Sequence, residues 1–116
     1  MTGSVLIKTL EFQGKHGASA DERKTLRRFQ VDVELRWDMT AAVESDRLAD
    51  TVNYDEVCGL LVEIGTSPPV HLLEHLAGRM LTAIRTRWPF VEASLELRKL
   101  HPPCPGNPAL TAVRLS

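Results

Sequence analysis

Four side chains in this sequence could move a proton or grip a polar ligand: Lys99, Tyr54, Glu22 and Glu74. Tyr54 is the only tyrosine and sits in Thr51-Val52-Asn53-Tyr54-Asp55. Its phenol could give or take a proton. The plainer alternative is a rim aromatic with its hydroxyl in water. Lys99 follows a run in which Val91, Ala93, Leu95 and Leu97 alternate with polar residues, so it falls on the apolar side. A lysine on a buried register either snorkels to solvent or is desolvated, and in the second state it suits proton transfer or imine formation. Glu74 lies in Leu72-Leu73-Glu74-His75-Leu76. A carboxylate among apolar neighbours could accept two parallel hydrogen bonds from an amidine-like edge. It could equally complement a helix dipole. Glu22 stands in the charge run Asp21-Glu22-Arg23-Lys24, whose ordinary fate is solvation.

Two other constellations are weaker. His71 and His75 are four apart, but the metalloprotease His-Glu-x-x-His pattern needs Glu beside the first histidine, and here Glu74 precedes the second. Cys58 and Cys104 form no Cys-x-x-Cys pair, so no metal site is expected. Gly14-Lys15-His16-Gly17 has the spacing of an RNA-binding Gly-x-x-Gly loop, yet a tight turn at a strand exit accounts for it better.

These residues need elements to hold them. The first strand runs through Val5–Gln13, with Leu6, Leu10 and Phe12 on one parity. Residues 18–27 form a polar loop. Phe29, Val31, Val33, Leu35 and Trp37 then alternate with Arg28, Gln30, Asp32, Glu34 and Arg36, a half-buried strand. Val57, Leu60, Leu61 and Ile64 trace one face of a helix. Leu73, Leu76, Ala77, Met80, Leu81 and Ile84 trace another, which ends before Pro89. Strand periodicity returns from Val91. A loop from His101 to Pro108 holds four of the seven prolines, and Leu110–Leu115 is a last strand. The order β-β-α-α-β-β predicts an α+β fold, a four-stranded antiparallel sheet with both helices on one face. Such a sheet leaves two edges that invite pairing across subunits, so an oligomer is expected.

Composition bounds the function. At 116 residues, the chain predicts a single domain, 1–116. A net charge of -1 argues against a nucleic-acid or anionic-membrane partner held by bulk charge. No apolar stretch approaches 18 residues. The N-terminus reads as a strand and not a signal peptide, and two cysteines make no disulfide framework, so a cytoplasmic setting is the default.

Taken together, five blocks resemble the dihydroneopterin aldolase family of folate biosynthesis over about Leu6 to Val113. They are Phe12-Gln13-Gly14-Lys15-His16-Gly17-Ala18 with Glu22 behind it; Phe29-Gln30-Val31-Asp32-Val33; Asp50-Thr51-Val52-Asn53-Tyr54; Leu72-Leu73-Glu74-His75-Leu76-Ala77; and Lys99-Leu100-His101-Pro102-Pro103. The resemblance implies a tunnelling (T-) fold whose subunits close into a barrel-forming ring, with two rings stacked as a homo-octamer and sites between neighbours. It implies retro-aldol cleavage of 7,8-dihydroneopterin to glycolaldehyde and 6-hydroxymethyl-7,8-dihydropterin, with no metal or other cofactor. On that analogy Lys99 is the general base, Tyr54 the acid, and Glu22 part of the same proton-handling and substrate-orienting set. Glu74 would grip the pterin edge, beside backbone groups of Leu73 and Val52. The alternatives are a 2′-epimerase acting on dihydroneopterin or its triphosphate, with Lys15, Arg23, Lys24, Arg27 and Arg28 near the tail, and a non-catalytic pterin-binding protein. Two places depart from the family pattern and bear on the Glu22 loop. Ser19 replaces a commonly apolar residue, and Thr25-Leu26-Arg27-Arg28 lacks a Gly-Gln often found there.

Overall fold

The computed structural model describes all 116 residues. Its central ribbon is strand β2 (Arg27–Asp38), where Phe29, Val31, Val33, Leu35 and Trp37 are buried while the residues between them are exposed or half-buried. β2 pairs antiparallel with β1 (Thr2–Gly14) on one side and β3 (Glu92–Leu100) on the other, and β4 (Leu110–Leu115) pairs with β3. The sheet order is β1-β2-β3-β4.

The first strand is not of one parity. Ile7 pairs with Val33 but Leu10 pairs with Val31, so one extra residue is inserted. Thr9 takes that bulge with φ 56°, and its N–H donates to Asp32 Oδ1 at 2.7 Å. A bulge flips the side-chain alternation of the strand beyond it. Val5 and Ile7 before it, and Leu10 and Phe12 after it, all pack on the core. Leu6 therefore lies on the opposite face, 54% exposed, and does not share the parity of Leu10 and Phe12.

Between β2 and β3 the chain builds three α-helices and one 3₁₀ turn, Leu48–Asp50. The first, α1 (Thr40–Ser45), is short and carries no periodicity long enough to read. The second, α2 (Tyr54–Gly65), starts where Asn53 accepts the Asp55 N–H at 3.0 Å, and it buries Val57, Leu61 and Ile64. The third, α3 (Leu73–Arg87), buries Leu76, Ala77, Met80, Leu81 and Ile84. Its last turn closes at Trp88, the residue before Pro89. α2 and α3 cover the face of the sheet that carries the β2 stripe. Twenty buried apolar residues form one continuous core there, each large side chain contributing about 1.5–3 kcal/mol by leaving water.

The opposite face is polar. Arg98 bridges Asp32 and Glu96, and Arg114 reaches Glu96 at 3.0 Å. No helix is long and apolar enough to cross a membrane.

Candidate active site

Lys99 continues the inward register of Leu95 and Leu97 and is 4% exposed. It pairs across the strands with Phe29, whose ring centroid lies 5.9 Å from Nζ. Burying an ammonium costs several kcal/mol unless partners replace its water. Two do. Nζ donates to Glu22 Oε2 and, at 2.9 Å, to the carbonyl oxygen of His16. An ammonium has three N–H groups, so one stays uncommitted.

Glu22 opens a single 3₁₀ turn in the loop between β1 and β2. Its bond from Lys99 holds the carboxyl below the ordinary carboxylate range, against the opposing effect of burial. Ser19 donates to the other oxygen, Oε1, at 3.0 Å and accepts the Glu22 N–H at 3.2 Å. The residue that departs from the family pattern thus anchors this turn. Gly17 is needed here, because a Cβ at that position would collide with the Glu22 side chain. Arg23 ties the loop down by donating to the carbonyls of Gly17 (3.0 Å) and Ala18 (2.8 Å).

The facing wall is the start of α3. Its N-cap, Leu72, has no side chain able to accept a hydrogen bond, so the first-turn N–H groups are left without a side-chain cap. Glu74 is exposed in that first turn. Glu22, Lys99, Leu73, Glu74, Leu72 and Pro102 line one pocket of about 220 Å³. A carboxylate acceptor, free backbone donors and an amine with its own carboxylate therefore share one hollow. That set can hold a planar donor–acceptor edge and shuttle a proton.

Val52 and Tyr54 do not join it within this chain. Val52 is buried in the core and Tyr54 is 63% exposed at the start of α2. Thr51, just before them, lines a hollow with Trp37 and Phe90 at the far end of β2 from Phe29 and Lys99. The opposite end of α2, Gly65, is the one that reaches His16. A 12-residue helix spans ~18 Å, so the phenol stands about that far from the pocket.

Other singled-out residues fall into place. His71 and His75 are both exposed, and His71 borders the pocket. Of the basic residues near Glu22, Arg28 is paired with Glu11 at 2.8 Å and Arg23 is committed to backbone carbonyls. His16 is the residue whose part the sequence hid. It is 2% exposed and bonded through both ring nitrogens. Only its place in the Gly14–Gly17 turn pointed toward it.

An antiparallel sheet with helices on one face and an amine–carboxylate couple facing a helix-borne carboxylate define a small α+β domain built for acid–base work on a flat polar ligand. The chain belongs to the dihydroneopterin aldolase family: the family model described as "FolB: Dihydroneopterin aldolase" matches residues 5–116. It is 31% identical to dihydroneopterin aldolase of Bacillus subtilis over 113 residues, covering 97% of this chain and 94% of the relative. It is 35% identical to that of Staphylococcus epidermidis over 108 residues, covering 92% and 89%. In fold it matches Escherichia coli dihydroneopterin aldolase in complex with neopterin, with a TM-score of 0.89 at 21% identity over 97% of this chain and 96% of that one. It also matches the enzyme of Burkholderia thailendensis bound to guanine, with a TM-score of 0.77 at 19% identity over 98% and 88%.

Proposed function

We propose that this pocket carries out the dihydroneopterin aldolase reaction, and that a second copy of the chain completes it. The observation that carries the reading is the convergence of Lys99, Glu22 and Glu74 on one pocket from three separate elements. Two bound ligands of fold relatives, neopterin and guanine, share one edge: an amino group, a ring N–H and a carbonyl side by side. Glu74 supplies the matching acceptor for the two donors, as a carboxylate does for guanidinium. The uncapped N–H of Leu73 supplies a donor for the carbonyl.

The chemistry then needs protons moved and the ring held. Lys99 is the general base for the hydroxyl on the second side-chain carbon. Only the free amine can act as a base, and the Glu22 carboxylate and the His16 carbonyl hold and orient that nitrogen. As the hydroxyl proton leaves, the bond between the first and second side-chain carbons breaks. Its electron pair enters the protonated ring C=N, and glycolaldehyde departs. The resulting enol-like pterin is protonated at the first side-chain carbon, a role for Tyr54 of a neighbouring copy. The ring is the electron sink, so the cleavage calls for no metal or imine. Neighbouring sheets pair edge to edge into a barrel-forming ring, and two rings stack into an octamer in the cytoplasm, where Cys58 and Cys104 stay as free thiols.

The test is to incubate the purified protein with 7,8-dihydroneopterin and measure glycolaldehyde. Lys99→Ala is expected to lower kcat by roughly 10²–10⁴ with little change in guanine affinity. Glu74→Ala is expected to do the reverse, weakening guanine binding by about ten- to a hundred-fold. No glycolaldehyde from the wild type, or the same phenotype from both variants, overturns the reading.

A further inference from the structure

His16 lines the pocket between its two halves, and while its backbone carbonyl holds Lys99, its ring has no part in the chemistry above. Its ring nitrogens are both used. Nε2 lies 2.7 Å from the carbonyl oxygen of Gly65, at the end of α2, and Nδ1 accepts the Val70 N–H at 3.1 Å. A carbonyl needs a donor and an N–H needs an acceptor, so the ring is neutral with its proton on Nε2. The ring packs edge-on against Phe29, with centroids 5.4 Å apart. It also lies close over Gly14, where a Cβ would come within 2.7 Å of His16 Cδ2.

The same residue's carbonyl oxygen accepts from Lys99 Nζ at 2.9 Å. Its successor, Gly17, donates its N–H to the Val70 carbonyl at 3.0 Å. Val70 is therefore gripped through both its N–H and its C=O. It stands four residues before Glu74 in a segment that begins Pro68-Pro69, and these two bonds tie that segment to the loop that follows β1.

We propose that His16 is a positioning residue for substrate binding: its ring sets the distance between the Glu74 arm and the Lys99–Glu22 couple. The inference rests on the aldolase reading of the pocket. The ring does not touch the reacting atoms. It acts through Val70, because any play there moves Glu74 relative to the amine. The bond to Gly65 serves a different end, fixing the C-terminus of α2. The two ring nitrogens therefore have separable jobs, one for affinity and one for stability alone.

Two substitutions separate them. In His16→Asn the shorter amide can place its oxygen where Nδ1 stood but cannot reach Gly65, so this variant keeps the Val70 tether. His16→Gln has its amide at the place of Nε2, so it keeps the Gly65 tether and loses Val70. Both variants are expected to melt below the wild type. His16→Gln is expected to raise the dihydroneopterin KM and the guanine Kd about tenfold, the loss of one well-placed hydrogen bond, with kcat within about threefold. His16→Asn is expected to hold KM and Kd within about threefold of the wild type. Equal KM values in the two variants, or a kcat in His16→Gln that falls in step with affinity, overturn the proposal. Should His16→Asn fail to fold, the split between KM and kcat in His16→Gln decides alone. Wild-type glycolaldehyde release is measured alongside. Its absence would sink the aldolase reading, while the guanine Kd values would still judge the tether.

Discussion

Lys99 holds a position that hydrophobic packing alone would give to leucine. Its neighbours on the inward register, Leu95 and Leu97, are 4% and 0% exposed. What keeps a cation there is Glu22 with the His16 carbonyl, and this gives an asymmetric pair of expectations. Glu22→Ala strands a buried ammonium and is expected to cost about 3–5 kcal/mol of stability. Lys99→Met fills the same space and removes the charge, while Glu22, whose side chain is 19% exposed, can return to water. That variant is expected to melt at or above the wild type with turnover essentially lost, the trade of activity against stability common at active sites. Thermal melts paired with the glycolaldehyde assay check both, and a Lys99→Met protein melting well below the wild type would count against the account. The parity of β3 made the burial of Lys99 readable from sequence. Periodicity did not pair it with Glu22, which lies 77 positions away in a loop whose charges look solvated; only the family resemblance grouped the two.

At the scale of elements, what could be read was what local period encodes. The alternation in β2 and the stripes of α2 and α3 are set by one buried face each, and they emerge at the expected places. The bulge in β1 was invisible because it turns on one residue, Thr9, adopting a left-handed conformation that its type does not announce. The stapling of β1, α2 and the approach to α3 by His16 was equally hidden, since it consists of contacts 49 and 54 residues apart. That staple has a pH signature. Burial holds the imidazole pKa below its usual 6.5, and the positive charges of Arg79 and Lys99 push it the same way, against the bond to Gly65. The unfolded chain takes up a proton near pH 6.5 and the folded chain only at lower pH. Stability is therefore expected to fall as pH drops from 7 to 5, by at most about 1.4 kcal/mol per pH unit from this group. Glu22, Asp32 and Glu96 are held below the usual carboxylate range, so their contributions fade only at lower pH. Urea titrations at pH 7 and 5 should show a steeper loss for wild type than for His16→Gln, and parallel losses would exclude the staple as the cause.

The whole chain is more extended than a self-sufficient domain of its size. Its radius of gyration is 15.7 Å, with a longest dimension of 51 Å, against about 13 Å expected for 116 residues in a compact domain. Both outer strands of the sheet, β1 and β4, have an unpaired edge, a ready template for pairing with another chain. Tyr54 (63%), Phe90 (62%) and Leu48 (66%) are exposed, at the end of the molecule away from Lys99. These features share one explanation if each working pocket takes Lys99 and Glu74 from one copy and Tyr54 from the next. The prediction is then one of complementation. Lys99→Ala and Tyr54→Phe proteins, each nearly inactive alone, are unfolded together, refolded as mixed oligomers and assayed. Every junction draws its Lys99 side and its Tyr54 side independently, so with equal amounts about a quarter of the sites regain both residues. Activity is expected to rise toward that fraction of wild type. A mixture no more active than its parents, with mixed oligomers demonstrated by a tag on one partner, would place the two residues in the service of separate sites.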